Sequence, residues 1–391
     1  MEKILANKSS MINIAVDMGK NELEGILFSN EGTILKSVNF DSVIRRLLTR
    51  PVAIGNSNPN RFKIKYEGKY YEIGDEIEKG TYSNDNSKLT EHHKLCLLLA
   101  IGLLSEGDSN FVNLLVGLPS SHIANPLEKE NFEKMLKEEE GKEMVIEING
   151  VEKRFVISKI TPDSEGLAMI PRLKLAINEN NKHNVAVIDI GGHNFNLRRF
   201  NAVGFSLDEK GISEEGVGIN NLLTRLHDEL LSGLEDRNRS ITRNDLKRFV
   251  KERKLDSDMS IAGYENDSSE FINDFVKNYI DIYIANKLSA HGVKPSAKGM
   301  VYLFTGGGSN LLRPYIEEIY KDNAEYIRFS DTAKWDNCLS FILNYLFKIS
   351  TDNSRIFATI CREFDTKLNN DDKGLDYSLI DNMKVSMSLV D

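Results

Sequence analysis

Two short stretches, one in each half of the chain, carry the same chemistry-bearing pattern: Asp17-Met18-Gly19-Lys20-Asn21 and Asp189-Ile190-Gly191-Gly192-His193-Asn194. Each follows an apolar run that reads as a strand, and each leads into a second one. The backbone N–H groups of such a turn can converge on a phosphate, and the glycine lets that phosphate come close. The aspartate would then sit near Mg²⁺, which keeps most of its waters and needs only one or two carboxylates. A single Asp-x-Gly is commonly just a turn. A matched pair can clamp a polyphosphate, with Asp17 and Asp189 approaching the metal from opposite sides. Gly19-Lys20 also mimics a P-loop, but no glycine precedes it at the required spacing and no Ser or Thr follows the lysine.

Gly306-Gly307-Gly308-Ser309 is a third candidate, placed between an apolar strand and a helix. Three glycines leave no side chains in the way of a flat base and ribose, and a helix start favours anionic groups. Gly216 and Gly218, at another helix start, can line the other side of a nucleotide or simply admit the chain into the helix. Between the two hairpins lies Thr161-Pro162-Asp163-Ser164-Glu165-Gly166-Leu167-Ala168. A carboxylate there can orient water on a γ-phosphate, or be a solvated charge at a helix start.

Other residues point to no chemistry. His92-His93 read as exposed helix-start residues. Cys96, Cys338 and Cys361 form neither a CxxC nor a Cys/His cluster, so a disulfide framework and a zinc site are not indicated and a reducing cytoplasm fits. The N-terminal MEKILANKSS lacks an apolar core, so no signal peptide is expected. The apolar run Leu95 to Leu104 is too short to span a bilayer. A net charge of −9 argues against a surface that grips nucleic acid directly.

The elements that must position these residues follow from periodicity. Ile12 to Val16, Leu23 to Phe28 and Thr33 to Val38 open the chain as a β-meander, and Arg61 to Ile73 is a hairpin turning at Glu67-Gly68. An apolar helix around Leu95 to Leu104, a strand from Phe111 to Val116 and a charged helix from Pro126 to Glu140 follow. Met144 to Ile160 is a hairpin around Asn149-Gly150, and Gly166 to Asn178 is a helix. Val185 to Ile190 and Phe195 to Phe200 repeat the strand–turn–strand pattern, which suggests two related lobes. The second half is mostly helical: Val217 to Leu231, Phe271 to Leu288, a helix after Gly306 to Ser309 in which Pro314 is tolerable only near the first turn, and Trp335 to Phe347. The tail after Lys367 is polar. With 391 residues and 40% hydrophobic content, the chain has the length for two domains or one large α/β unit.

In order, the first hairpin, the carboxylate Glu165, the second hairpin and Thr305 to Ser309 resemble the actin, sugar-kinase and DnaK-chaperone ATPase superfamily. Four stretches resemble its ParM/StbA plasmid-segregation branch: Tyr66 to Gly74, Val116 to Pro119, Pro162 to Ala168, and Leu303 to Gly308. The resemblance implies an α/β actin-like fold of two lobes, each a mixed β-sheet flanked by helices, with a nucleotide cleft between them. Its domains would be 1–172 with 335–391, and 173–334. It implies a Mg-dependent ATPase or GTPase that assembles head to tail into filaments in the cytoplasm and moves plasmid DNA through a DNA-binding adaptor at a plasmid centromere, with no membrane and no tight DNA contact of its own. Asp17 and Asp189 inherit the metal-associated roles, Glu165 the water-orienting role with Asp163 as rival, and Gly306 to Gly308 the adenosine contact.

Several positions depart from the superfamily pattern. Lys20 and Asn21 stand where Ser or Thr often follows the first glycine, and Glu24 stands near where a lysine would fall. In the second hairpin His193, Asn194 and Asn196 replace Thr, Thr and Asp, and Asp336-Asn337-Cys338 only loosely matches the small-residue start of the last helix. A metabolite kinase of the same superfamily and a monomeric chaperone-type nucleotide switch are the competing readings.

Overall fold

The computed structural model describes residues 11–368 apart from 51–57, 76, 78–79, 83–87, 89, 106–109, 120–124, 138–139, 179–182, 202–206, 208–210, 234–239, 258, 260, 262–267 and 296–298. The expected polar tail lies outside these residues, apart from its first position, Leu368. Strands β1 (Met11–Asp17), β2 (Glu22–Phe28), β3 (Ile34–Asp41), β4 (Ile44–Leu47), β5 (Arg61–Tyr66) and β6 (Lys69–Gly74) come first. Helix α1 (Glu91–Leu104), strand β7 (Asn110–Leu118) and helix α2 (Pro126–Lys137) follow, then β8 (Glu143–Ile148), β9 (Val151–Ser164) and α3 (Met169–Asn178). Next are β10 (Asn184–Ile190), β11 (Asn194–Phe200), β12 (Ile212–Glu215), α4 (Ile219–Gly233), α5 (Arg243–Glu252) and α6 (Ser268–Tyr279). A π-helical turn, Ile280–Ala285, leads to α7 (Asn286–Ala290), β13 (Met300–Thr305), α8 (Gly307–Ile319), β14 (Ile327–Phe329), α9 (Asp336–Ile349) and α10 (Asn353–Leu368).

The chain divides into two compact units, Met1–Leu173 with Trp335–Asp391, and Lys174–Lys334. The first holds a nine-stranded sheet in the order β3-β2-β1-β7-β9-β8-β5-β6-β4, and the second a five-stranded sheet in the order β12-β11-β10-β13-β14. Five strands of the first repeat the second: a three-stranded antiparallel meander, then two strands parallel to the meander's first strand. The repeated strand–turn–strand pattern of the sequence is the visible part of this duplication.

In the first unit alternation along β1 and β7 sends Ile14, Val16, Val112, Leu114 and Val116 into a core that includes most of α1. The intervening residues turn to α9, which lies across β1 and β7. Gly117 keeps that approach possible, because a Cβ there would come within 2.5 Å of the Phe341 ring. In the second unit Ala186, Ile188 and Ile190 of β10 and Tyr302 and Phe304 of β13 pack with residues of α4, α5, α6 and α8.

The hairpins turn where the sequence places them. Glu67 and Gly68, then Asn149 and Gly150, all have positive φ, as a two-residue turn matched to strand twist requires. Several expectations need correction. Pro314 lies well inside α8 rather than in its first turn. Both Pro314 and Asn310 are exposed, so the carbonyl that loses its N–H partner can turn to water. The expected helix from Phe271 to Leu288 is interrupted by a π-helical turn. Val276, Ile280, Ile284 and Leu288, all buried, recur every fourth position, and a wider turn keeps them on one face. Helix α3 begins at Met169 rather than Gly166, after two positive-φ residues, Gly166 and Ala168. His93 is buried, and His92 is half-buried with its ring on the Ser42 carbonyl, so neither is a free helix-start residue.

Candidate functional site

In the first unit β1 delivers Asp17 to the sheet's end, where the chain turns through Met18 to Asn21. The turn is tight: a Cβ on Gly19 would stand 2.0 Å from the Glu22 carbonyl, so glycine is obligatory. Ser42 braces it, donating its hydroxyl to the Gly19 carbonyl at 2.7 Å and its N–H to the Asn21 carbonyl at 2.7 Å. Lys20 is buried, and the Asn21 side-chain oxygen is buried with no partner.

Asp17 is buried and met from two directions. The Asn337 amide, at the start of α9, donates to Oδ2 at 2.8 Å, and Lys88 Nζ lies 3.5 Å from Oδ1. Lys88 also makes a short ion pair with Glu165. Burial pushes the Lys88 ammonium toward losing its proton, but Glu165 and Asp17 outweigh that, and its pKa lies above the ordinary lysine value. Desolvation, with help from Lys88, takes His93 down to about 3, so its ring is neutral.

Helix α9 organises the loop that carries Glu165. Asn337 Oδ1 accepts the Gly166 N–H at 2.9 Å, Ser340 Oγ accepts the Met169 N–H at 3.0 Å, and the Asn344 amide donates to Asp163 Oδ2 at 2.8 Å. Three polar side chains on one helical face thus fix the β9–α3 loop, and Asn337 ties it to Asp17. Both rival acids are buried, but their surroundings differ. Glu165 is joined with Asp17 through Lys88, while Asp163 is turned to Asn344 and to its neighbour's N–H.

The second unit gathers its candidates around β10. Asp189 is buried, and Asn196 of the return strand approaches its Oδ2 at 3.4 Å. The turn Gly191 to Asn194 closes with the Gly191 N–H on the Asn194 carbonyl at 2.9 Å. Asn194 donates to Ser213 at 2.8 Å, and His193 Nε2 lies 3.7 Å from Glu215. The entry to α4 docks on this turn: the Ile219 and Asn220 N–H groups donate to the Gly191 and Gly192 carbonyls at 3.1 and 2.7 Å. Gly218 permits that contact, since a Cβ would meet Gly192 at 2.5 Å, whereas Gly216 faces open space.

Gly306 has φ 82 and ends β13 against Asp189; a Cβ would stand 2.2 Å from Asp189 Oδ1. Gly308 is pressed on Ile190 and Ile219, while Gly307, at the first position of α8, has no atom within 4 Å of a Cβ. The second unit therefore brings Asp189, residues 191–194, Gly216, Gly218 and Gly306 to Gly308 together. The first brings Asp17, Gly19, Lys20 and Asn21 together with Glu165.

These surroundings fit a nucleotide with a hydrated divalent cation. In the first unit two buried carboxylates share one ammonium, and the turn after Asp17 holds the unmet side-chain oxygen of Asn21; in the second an open glycine begins a helix, where backbone N–H groups favour anions. Among the described residues no three His, Cys, Asp or Glu side chains converge to hold an ion themselves. Lys88 and the joint work of Asn337 and Asn344 are the residues that sequence reasoning missed. Lys88 sits in a polar, aperiodic stretch, with no signal in the sequence that it meets Asp17 and Glu165.

Residues 15–166 match the family model for the N-terminal domain of actin-like proteins, and residues 184–332 match that for the Alp7A C-terminal domain. No curated protein matches the chain. Among solved structures it is similar to a ParM from a 15-stranded filament of Clostridium botulinum, with 20% identity over 87% of this chain and 99% of that one and a TM-score of 0.65. It is similar to actin-like protein Alp7A, with 14% identity, 91% and 99% coverage and a TM-score of 0.61. A third is the archaeal actin homolog Ta0583 in complex with ADP, with 14% identity, 87% and 100% coverage and a TM-score of 0.58. No described helix is long and apolar enough to cross a membrane.

Proposed function

Because this chain belongs to the actin-like proteins, we propose that it binds and hydrolyses ATP or GTP with Mg²⁺ and assembles head to tail into filaments that segregate plasmid DNA. The observation that carries the reading is the duplicated sheet, with a buried aspartate at the same strand end in both copies, Asp17 and Asp189, each followed by a glycine turn. Similarity to a ParM filament and to Alp7A supports assembly, and similarity to an ADP complex supports the nucleotide.

In this reading the turns after β1 and β10 take the phosphates, and Gly306 to Gly308 take the nucleoside. Asp17 and Asp189 would hold the cation. The cation, when bound, neutralises charge on the phosphate oxygens. Glu165 orients the attacking water, and Asn337 holds the loop and Asp17 in register. A filament follows from a heterologous contact, which need not close into a ring. With a net charge of −9 the chain leaves DNA binding to a separate adaptor at the plasmid's centromere.

Light scattering and electron microscopy at micromolar protein test this. The expected result is filaments above a critical concentration with Mg²⁺ and ATP or GTP, and their loss as phosphate is released. A protein that stays monomeric with both nucleotides yet phosphorylates a small metabolite is a kinase, and the filament reading fails.

A further inference from the structure

A buried ammonium is costly unless carboxylates meet it. Lys88 is 4% exposed and bridges two acids, in direct contact with Glu165 and 3.5 Å from Asp17. The two contacts are unequal. Asp17 has another donor, Asn337 at 2.8 Å, so it stays hydrogen-bonded if the ammonium leaves it. A divalent cation arriving near Asp17 would repel the ammonium and displace the weaker of its contacts, while the Glu165 contact can persist.

We propose that Lys88 is a positioning residue that holds the place of a divalent cation beside Asp17 in the nucleotide-free protein and, once nucleotide binds, holds Glu165 alone. The inference rests on the reading of this site as one for Mg²⁺ and nucleotide. Lys88 thereby competes with Mg²⁺ for Asp17 and links nucleotide arrival to the setting of Glu165. It also keeps two buried carboxylates from repelling each other while the cation is away.

The test is the Mg²⁺ concentration that half-saturates binding of N-methylanthraniloyl ATP or GTP, measured by fluorescence alongside the melting temperature without nucleotide. Lys88→Met keeps the stem and removes the charge. It should lower the melting temperature and lower the Mg²⁺ midpoint about tenfold, the scale on which an adjacent opposite charge shifts a carboxylate's equilibria. Glu165→Gln leaves the ammonium to Asp17 and should raise the midpoint. A Lys88→Met protein that is less stable but has the wild-type midpoint carries only a structural ion pair, and the proposal is overturned. If Lys88→Met does not fold, an unchanged or lowered midpoint in Glu165→Gln overturns it instead. Wild-type protein that binds neither nucleotide with Mg²⁺ refutes the proposed function, and this inference with it.

Discussion

Across the first hairpin Asp17 pairs in register with Glu24; across the second, at the same separation along the chain, Asp189 pairs with Asn196. Directly opposed residues in an antiparallel pair are neighbours, so one aspartate faces an acid and the other an amide. In the second copy one donor comes from within the hairpin, from Asn196. In the first, where the opposed residue is a carboxylate, donors arrive from far along the chain: Asn337 from α9 and Lys88 from before α1. The same backbone thus presents the same carboxylate with two different supports. A duplicated fold fixes where a functional group stands, and the residues placed around it decide which donors reach it.

The largest expected effect tests whether the distant support serves chemistry. Glu165→Ala should slow phosphate release by at least tenfold while nucleotide still binds, since a positioned acid or base contributes ~10²–10⁴ in rate. Unchanged turnover in Glu165→Ala, with loss in Asp163→Ala, would move the water-orienting role to the acid that Asn344 holds.

A smaller effect separates the two supports directly. Asn337→Ala removes hydrogen bonds at 2.8 and 2.9 Å, one of them to a carboxylate, whereas Asn196→Ala removes longer ones, at 3.3 Å from Asn194 and 3.4 Å to Asp189. Urea denaturation should show a loss of about 2–4 kcal/mol for the first and about 1 kcal/mol or less for the second. Equal losses would mean that the hairpins are supported alike.

Much of the fold was legible because its signals are local. Alternating apolar residues around Glu67-Gly68 and Asn149-Gly150 mark hairpins, and the two Asp-x-Gly turns mark the duplication. The resemblance of these motifs to the plasmid-segregation actins pointed to the family that both matched domains support. What was hidden depends on contacts distant in sequence. Short β4 pairs with β6 and has no pattern of its own, and His93 reads as polar until the fold buries it. Lys88 reads as a surface charge because nothing near it in sequence shows that Asp17 and Glu165 converge there. Pro314 misled because the sequence does not reveal that its helix turn faces water.

If both aspartates serve the phosphates and metal of one nucleotide, Asp17→Ala, Asp189→Ala and the double variant should all lose affinity for ATP or GTP with Mg²⁺. Calorimetry should show each single variant weakening binding, and the double variant weakening it by less than the product of the two factors, because groups that act on one ligand are not independent. If either single variant binds both nucleotides as the wild type does, the two hairpins do not work as a pair.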